Sequence, residues 1–462
     1  MSVELGFETI GNATCTVFDE GKPILTTDPW IEDFPYFGSW KHRYHIPKQQ
    51  KSNVYNSKYI WISHGHPDHL DLKSLNKFID FKILVSEHYD NRIYNDLKKL
   101  NYPVKLLYSN QAVRLSKNIS IKCFPDWNLD TVLIINIKGE DLIVNINDSN
   151  LHGIRSIIKK EISSYKNHKN KFLLQAIGLR DADMINFYDE DNNFLLDNIL
   201  NNKFKTGLWW TSSMKDLGCN YGIPFSSMHS YQRKDSYHIN KYIRPLNEHS
   251  HYFDNTIGEL LPAFVIWDSL KKDYKTINPK KTKDIKINPE VFGDSWSDDL
   301  DESDKRLIEN YFNQIETIKL FIGVIHFNCG GKIFSIKISN IQNEIFFEVP
   351  RNSLIKAIRY SIFDDLLIGN FMITRLKNLD SLYPNFSPYV TKYFDNGKVK
   401  DFPELKKYFK YYKNISGSQY LFMRDLYVQD LKGMYKDSIL ELCAYYATRT
   451  VYHIFTKNKE EK

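Results

Sequence analysis

Apolar and polar positions alternate in short runs along the start of the chain. Residues 3–10, 14–18 and 24–27 read as strands separated by Gly11-Asn12 and Gly21-Lys22-Pro23, a pattern that predicts a β-meander. The period then changes. An apolar run at 59–62 precedes a helical pattern at 70–78, and strands at 83–85 and 104–108 bracket a second helix at 90–100; this alternation predicts an α/β layer. Strands return at 119–124, 131–137 and 142–146, the last two joined by a turn at 138–141. A helix over 154–162, a strand over 172–177 and an apolar approach over 221–225 follow, the last leading to His229. Between 271 and 304 Lys, Asp, Asn and Pro dominate, as in a linker or surface excursion. Beyond it, runs at 320–326, 332–338 and 345–349 predict an antiparallel sheet, with helices from Ser353 onward. The expected organisation is an α/β domain at 1–265, a connecting segment at 266–305 and a C-terminal α+β accessory domain at 306–462.

Composition narrows the picture a little. A chain of 462 residues with 42% hydrophobic content has ample material for more than one core and is not disordered as a whole. The net charge of +6, set against 62 basic and 56 acidic side chains, gives no pointer to nucleic acid or an anionic membrane. No nucleic-acid or membrane partner is expected, and the oligomeric state is open. Cys15, Cys123, Cys219, Cys329 and Cys443 include no CxxC pair, which argues against structural zinc, an iron–sulfur cluster or a disulfide scaffold. With no basic-then-apolar leader at the start and no run near the roughly 20 apolar residues that span a bilayer, the expected location is the cytoplasm.

The chemistry concentrates in Ser63-His64-Gly65-His66-Pro67-Asp68-His69, directly after the apolar run at 59–62. Three imidazoles and a carboxylate so close together are seldom buried without partners, and the chemistry that most simply needs them is metal binding. Neutral imidazoles and carboxylates suit zinc, iron or manganese. Asp126 and Asp148 lie just beyond strand ends, where a turn can aim a side chain at the same volume. Asp28, before Pro29 and Trp30, is either a turn residue or part of the site. The aromatic stretch 31–50, with Trp40, His42, Arg43 and His45, either packs or lines a ligand pocket. Isolated histidines such as His88, His168, His326 and His453 read as ordinary structural residues.

The histidine motif resembles that of the metallo-β-lactamase superfamily, which implies a four-layered αβ/βα sandwich with a metal site at one edge of its paired sheets. Carried over, the resemblance gives His64 and His66 to a first metal, Asp68 and His69 to a second, and Asp148 to the bridge between them. A histidine normally lies between the motif and the bridging aspartate; Asp126 occupies the matching position here. The late histidine ligand matches His229, with His238 in reserve. Within the superfamily the chain is most similar to the metallo-β-lactamase-like part of the CMP-N-acetylneuraminic acid hydroxylases, to the ascorbate-6-phosphate lactonases and to the N-acylphosphatidylethanolamine phospholipases. That likeness rests on Thr27-Asp28-Pro29-Trp30-Ile31, Gly38-Ser39-Trp40, the motif itself and Leu129-Asp130-Thr131, and covers roughly residues 1–260. It implies a role for Asp28 behind the metal ligands. The hydroxylases also need a Rieske centre, and none of the five cysteines sits in the paired motif such a cluster requires.

Two functional readings follow. The first is metal-assisted hydrolysis of a small anionic substrate, with two divalent ions, zinc before iron or manganese, and with Asp68 also orienting the nucleophile. The alternative is an iron-dependent oxygenase acting on a sugar nucleotide or related small molecule, favoured by the oxygen-rich ligand set that Asp126 would create. A nuclease of the same fold would carry a concentrated basic patch, and none is visible. In the C-terminal unit, 345–349 and the run 363–370 weakly resemble a sterol-carrier-like domain, but a packing or dimerisation role is preferred.

Overall fold

The computed structural model describes residues 3–177, 185–195 and 206–426; Cys443 and His453 lie outside the described residues. Two large sheets face each other. The first has eight strands in the order Asp273–Thr276, Val265–Asp268, Leu5–Ile10, Thr14–Asp19, Lys22–Thr27, Tyr59–Ile62, Lys82–Ser86 and Val104–Leu107. The second has seven, in the order Glu259–Leu260, Tyr221–Pro224, Asn170–Gln175, Asp141–Asn147, Thr131–Ile137, Ile119–Pro125 and Val113–Arg114.

Each central strand is apolar on both faces because both faces are covered. Leu133 and Ile135 point between the sheets, where they meet Phe7, Val17, Leu25 and Trp61. Their neighbours Val132 and Ile134 point outward onto the helices Arg155–Ser164 and Thr206–Leu217, against Ile158, Ile162, Trp210 and Met214. On the other side, Ile60, Ile62, Ile83 and Val85 pack beneath Val54, Leu75 and Leu97 of the helices Lys48–Tyr55, Leu72–Leu75 and Arg92–Lys99. This is the four-layered αβ/βα sandwich. A buried Leu, Ile or Phe contributes about 1.5–3 kcal/mol, so these layers are the main source of the sandwich's cohesion.

The segment 266–305 begins inside the first sheet. Val265–Asp268 pairs antiparallel with Leu5–Ile10, and Asp273–Thr276 pairs with it in turn, because Val265 and Trp267 alternate into the inter-sheet core. A third sheet organises the C-terminal unit, in the order Phe187–Tyr188, Ile373–Lys377, Glu344–Glu348, Val324–Cys329 and Lys332–Lys337. It is mixed, not wholly antiparallel as the pattern suggests. The hairpin closed by Gly330 and Gly331, both at positive φ, occupies one edge of Val324–Cys329. Glu344–Glu348 therefore joins the other edge, where it runs parallel. The helices Glu302–Asn313, Arg351–Tyr360 and Phe363–Ile368 and the helical segment Pro388–Asn396 pack on this sheet, and Phe402–Ile415 and Gln419–Leu426 follow. Among the described residues no helix is long and apolar enough to cross a membrane.

Candidate metal centre

The strand Tyr59–Ile62 runs parallel between Lys22–Thr27 and Lys82–Ser86, and its end releases the histidine motif at the rim of the sandwich. The chain then turns tightly, with the amides of His69 and Leu70 both donating to the His66 carbonyl at 3.0 and 2.8 Å. Asp71 fixes the far end. Its carboxylate caps the short helix Leu72–Leu75 through the amides of Lys73 and Ser74, and also accepts from the amides of Ile31, Glu32 and Asp33, which pins the aromatic loop to the motif.

The donors converge. His64, His69 and Asp148 each place one ligand atom within 4.8 Å of the others. Asp148 Oδ2 lies 3.1 Å from His69 Nε2 and 3.8 Å from His64 Nε2, while its Oδ1 accepts the Ser226 hydroxyl at 2.8 Å. His66 Nδ1 faces His64 Nε2 at 2.8 Å, and Asp68 Oδ2 lies 3.2 Å from His69 Nε2. The Asp68 carboxylate is held by the Tyr36 hydroxyl on Oδ1, at 2.5 Å, and by the Asn12 amide on Oδ2, at 2.9 Å.

Burial and mutual charge set the protonation. Burial works against a charge on His69, but the Asp68 and Asp148 carboxylates outweigh it and raise the imidazole well above its usual range. Burial, reinforced by His69 and His66, pushes His64 well down. Burial alone would raise Asp68, yet His69 and the Tyr36 hydroxyl hold it well below the ordinary carboxylate range. The Asp68 and Asp148 carboxylates thus meet the ring nitrogens at one buried point. His69 Nε2 is buried there between the carboxylate oxygens of Asp148 and Asp68, at 3.1 and 3.2 Å. Imidazole nitrogens and carboxylate oxygens aimed into one small volume fit a divalent cation.

Each motif histidine has a carboxylate behind it. Asp28, buried at a φ of 40°, accepts the Ser63 amide on Oδ1 at 2.8 Å and sets Oδ2 3.4 Å from His69 Nδ1. Behind His64 Nδ1 stand the Ser63 hydroxyl at 2.9 Å and Asp130 Oδ1 at 3.8 Å. Behind His66 Nε2 stands Asp364 Oδ2, at 2.9 Å, on the helix Phe363–Ile368 of the C-terminal unit.

The other expected site residues are not among the three converging donors. Both Asp126 oxygens are taken up, Oδ1 by the amides of Asn128 and Asp130 in the turn it opens, at 2.8 and 3.2 Å, and Oδ2 by the hydroxyl of Ser149, the residue after Asp148, at 2.7 Å. Burial, followed by the neighbouring Asp130, pushes its carboxyl up to about 7. His229 lies on the strand His229–Tyr231, paired with Trp40–His42, and its ring lies flat on Trp40; it is not among the three converging residues, nor is His238, on the helical turn Tyr237–Tyr242. Trp40 also packs its ring at 4.4 Å against Tyr36, whose hydroxyl reaches Asp68, and Arg43 donates to the Arg244 carbonyl at 2.9 Å. His42 stacks on Trp30, and with His45 it lines a separate groove beside Glu32, Lys41 and Thr282.

Paired sheets flanked by helices, a strand-end histidine motif at their rim and an aspartate from the facing sheet completing the cluster decide the fold. The chain has the metallo-β-lactamase fold. Comparison adds partial likenesses. No family model matches the chain. Among curated proteins this metallo-β-lactamase-fold chain is similar to the cytidine monophosphate-N-acetylneuraminic acid hydroxylase of Asterias rubens, at 26% identity over 175 residues; the match spans 34% of this chain and 25% of the relative's length. Among solved structures it is similar to the isothiocyanate hydrolase from Delia radicum gut bacteria, at 12% identity over 55% of this chain and 95% of that one, with a TM-score of 0.36. It is also similar to the metallo-beta-lactamase fold protein YhfI from Bacillus subtilis, at 12% identity over 57% of this chain and 95% of that one, with a TM-score of 0.31.

Sequence reading missed Asn12, Tyr36, Ser226 and Asp364. Asn12 carried only a turn signal, Tyr36 was one aromatic among many, and nothing local marks Ser226 or Asp364 as neighbours of the motif.

Proposed function

We propose that this chain is a metal-dependent hydrolase with a dinuclear centre acting on a small anionic molecule. His64 and His66 would hold the first ion, Asp68 and His69 the second, and Asp148 would bridge them, with zinc the first expectation and iron or manganese the alternatives. The observation that carries this reading is the convergence of His64, His69 and Asp148 within 4.8 Å beside Asp68 and His66. Such ions, when bound, lower the pKa of a water and polarise a carbonyl or phosphoryl oxygen.

The protein's own groups supply orientation. Tyr36 and Asn12 lock the Asp68 carboxylate in one plane, so it can hold an attacking water's proton in a fixed direction. Beside the centre a cavity is lined by Ile177, Ile185, His229, Tyr231, Arg244 and His249. His249 is buried with neither ring nitrogen hydrogen-bonded, and burial, followed by Arg244 and Arg43, pushes its pKa down to about 4. A neutral imidazole offers one N–H and one lone pair, and the two arginines favour a negative group at that end; this is the basis for an anionic substrate.

The test is metal analysis after aerobic and anaerobic purification, with hydrolysis assayed on lactones, phosphodiesters and acidic amides. Stoichiometric metal, lost in His66→Ala together with hydrolysis, is the expected result; His66→Ala with unchanged metal content would refute the site. The partial likeness to a hydroxylase supports a second reading, an iron-dependent oxygenase acting on a sugar nucleotide. Zinc at stoichiometric level without oxygen uptake would eliminate it, whereas iron with substrate-dependent oxygen uptake would replace the hydrolase reading.

A further inference from the structure

We propose that the C-terminal unit is part of the metal centre, and that Asp364 is a positioning residue that fixes the orientation and tautomer of His66. The inference rests on the metal-site reading above and extends it to a residue 298 positions away in sequence from the histidine it contacts.

His66 has two ring nitrogens with different neighbours. Nδ1 faces His64 Nε2 at 2.8 Å, on the side of the converging donors; Nε2 lies 2.9 Å from Asp364 Oδ2. A carboxylate at Nε2 draws the proton there and leaves the Nδ1 lone pair directed at a metal, the arrangement by which outer carboxylates orient ligating histidines. The other two motif histidines have looser counterparts, Asp28 Oδ2 3.4 Å from His69 Nδ1 and Asp130 Oδ1 3.8 Å from His64 Nδ1, so the contact at His66 is the closest of the three. Asp28 and Asp130 belong to the sandwich. Asp364 alone of these three carboxylates comes from the other unit.

The helix that carries Asp364 is held from both sides. Phe363 lies in the core of the C-terminal unit, and its amide donates to Asp395 Oδ2 at 3.0 Å. Five residues on, Ile368 is buried with Trp30, Tyr36, Trp40 and Tyr231 of the sandwich. Arg92 of the sandwich donates to the carbonyls of Tyr360 and Ser361, at 2.7 and 2.8 Å, just before the helix. Asp364 itself is buried, and its second oxygen, Oδ1, has no hydrogen-bond partner. A buried carboxylate oxygen left unbonded is costly, which is hard to explain for a residue that served packing alone.

The experiment uses the full-length chain as wild type, Asp364→Ala and Asp364→Asn, each stripped with chelator and titrated with zinc against a chromophoric competitor; cobalt absorption spectra and apoprotein melting are recorded in parallel. Asp364→Ala is expected to weaken metal binding by about 10–100-fold and to alter the cobalt spectrum. Asp364→Asn, whose amide oxygen still accepts from His66, is expected to fall between Ala and wild type while its apoprotein melts close to wild type. Wild-type zinc affinity and cobalt spectrum in both variants would overturn the inference even if melting fell, since that is the signature of a purely structural contact. A wild-type protein that bound no metal would instead bring down the metal-site reading and this inference with it.

Discussion

Asp28→Asn isolates the support behind His69. The substitution is nearly isosteric, and at a φ of 40° Asn is tolerated as Asp is, whereas Ala would add backbone strain of about 1–2 kcal/mol. What changes is acceptor capacity. Asp28 has two carboxylate oxygens, one taking the Ser63 amide at 2.8 Å and the other 3.4 Å from His69 Nδ1; Asn has one. Either the Ser63 amide or His69 Nδ1 must then face an amide NH2 in place of a carboxylate oxygen, at a cost of about 1–3 kcal/mol. For a domain of this size each kcal/mol lowers the melting temperature by roughly 2–4 °C. If the Ser63 amide keeps the oxygen, the loss falls on His69 and metal affinity drops by about 10–100-fold. Calorimetry on the apoprotein and chelator competition with zinc read the two costs separately. Wild-type values in both would refute the reasoning, and would leave Asn147, whose side-chain amide lies 3.1 Å from His69 Nδ1, as the group that holds the ring.

Two further outcomes follow. Asp148→Asn is expected to abolish stoichiometric metal binding while Asp126→Asn leaves it intact, because both Asp126 oxygens are already bonded, one by its own turn and the other by Ser149; equal metal loss in the two variants would restore Asp126 to the ligand set. In the C-terminal unit, burial pushes the Asp395 carboxyl up to about 7 in spite of hydrogen bonds from the Tyr311 hydroxyl and the Phe363 amide. A carboxyl raised in the folded state contributes most below the unfolded value of about 3.9, and that contribution is lost as pH rises to about 7. Asp395→Asn should therefore gain stability relative to wild type between pH 5 and pH 8 in urea unfolding, and a gap independent of pH would count against the shift.

The long apolar strands of the sandwich were legible because burial on both faces writes an unbroken apolar run: 119–124, 131–137 and 142–146 appear as Ile119–Pro125, Thr131–Ile137 and Asp141–Asn147. The histidine motif was legible because its chemistry is compressed into a few adjacent residues. Short elements were not. Trp40–His42 and His229–Tyr231 have three residues each, too few for a period to show, and Val265–Asp268 is followed closely by a lysine-rich turn that disguised it as linker. The helix read at 70–78 contracts to Leu72–Leu75, since Asp71 caps it late and its C-cap follows at Asn76. Asp364 was out of reach for another reason: its role depends on how two units dock, and docking leaves no periodic trace in the chain.

The strand Phe187–Tyr188, which leaves the sandwich to pair with Ile373–Lys377, has a practical meaning. Severing the polypeptide near residue 305 would strip one half of this strand and the other of Asp364. The C-terminal fragment would then present Ile373–Lys377 as a bare sheet margin, a template for association with other copies. Stitched together in this way, the two halves are expected to be expressed and unfolded as one object, and a fragment library should recover soluble protein only from clones that span the junction.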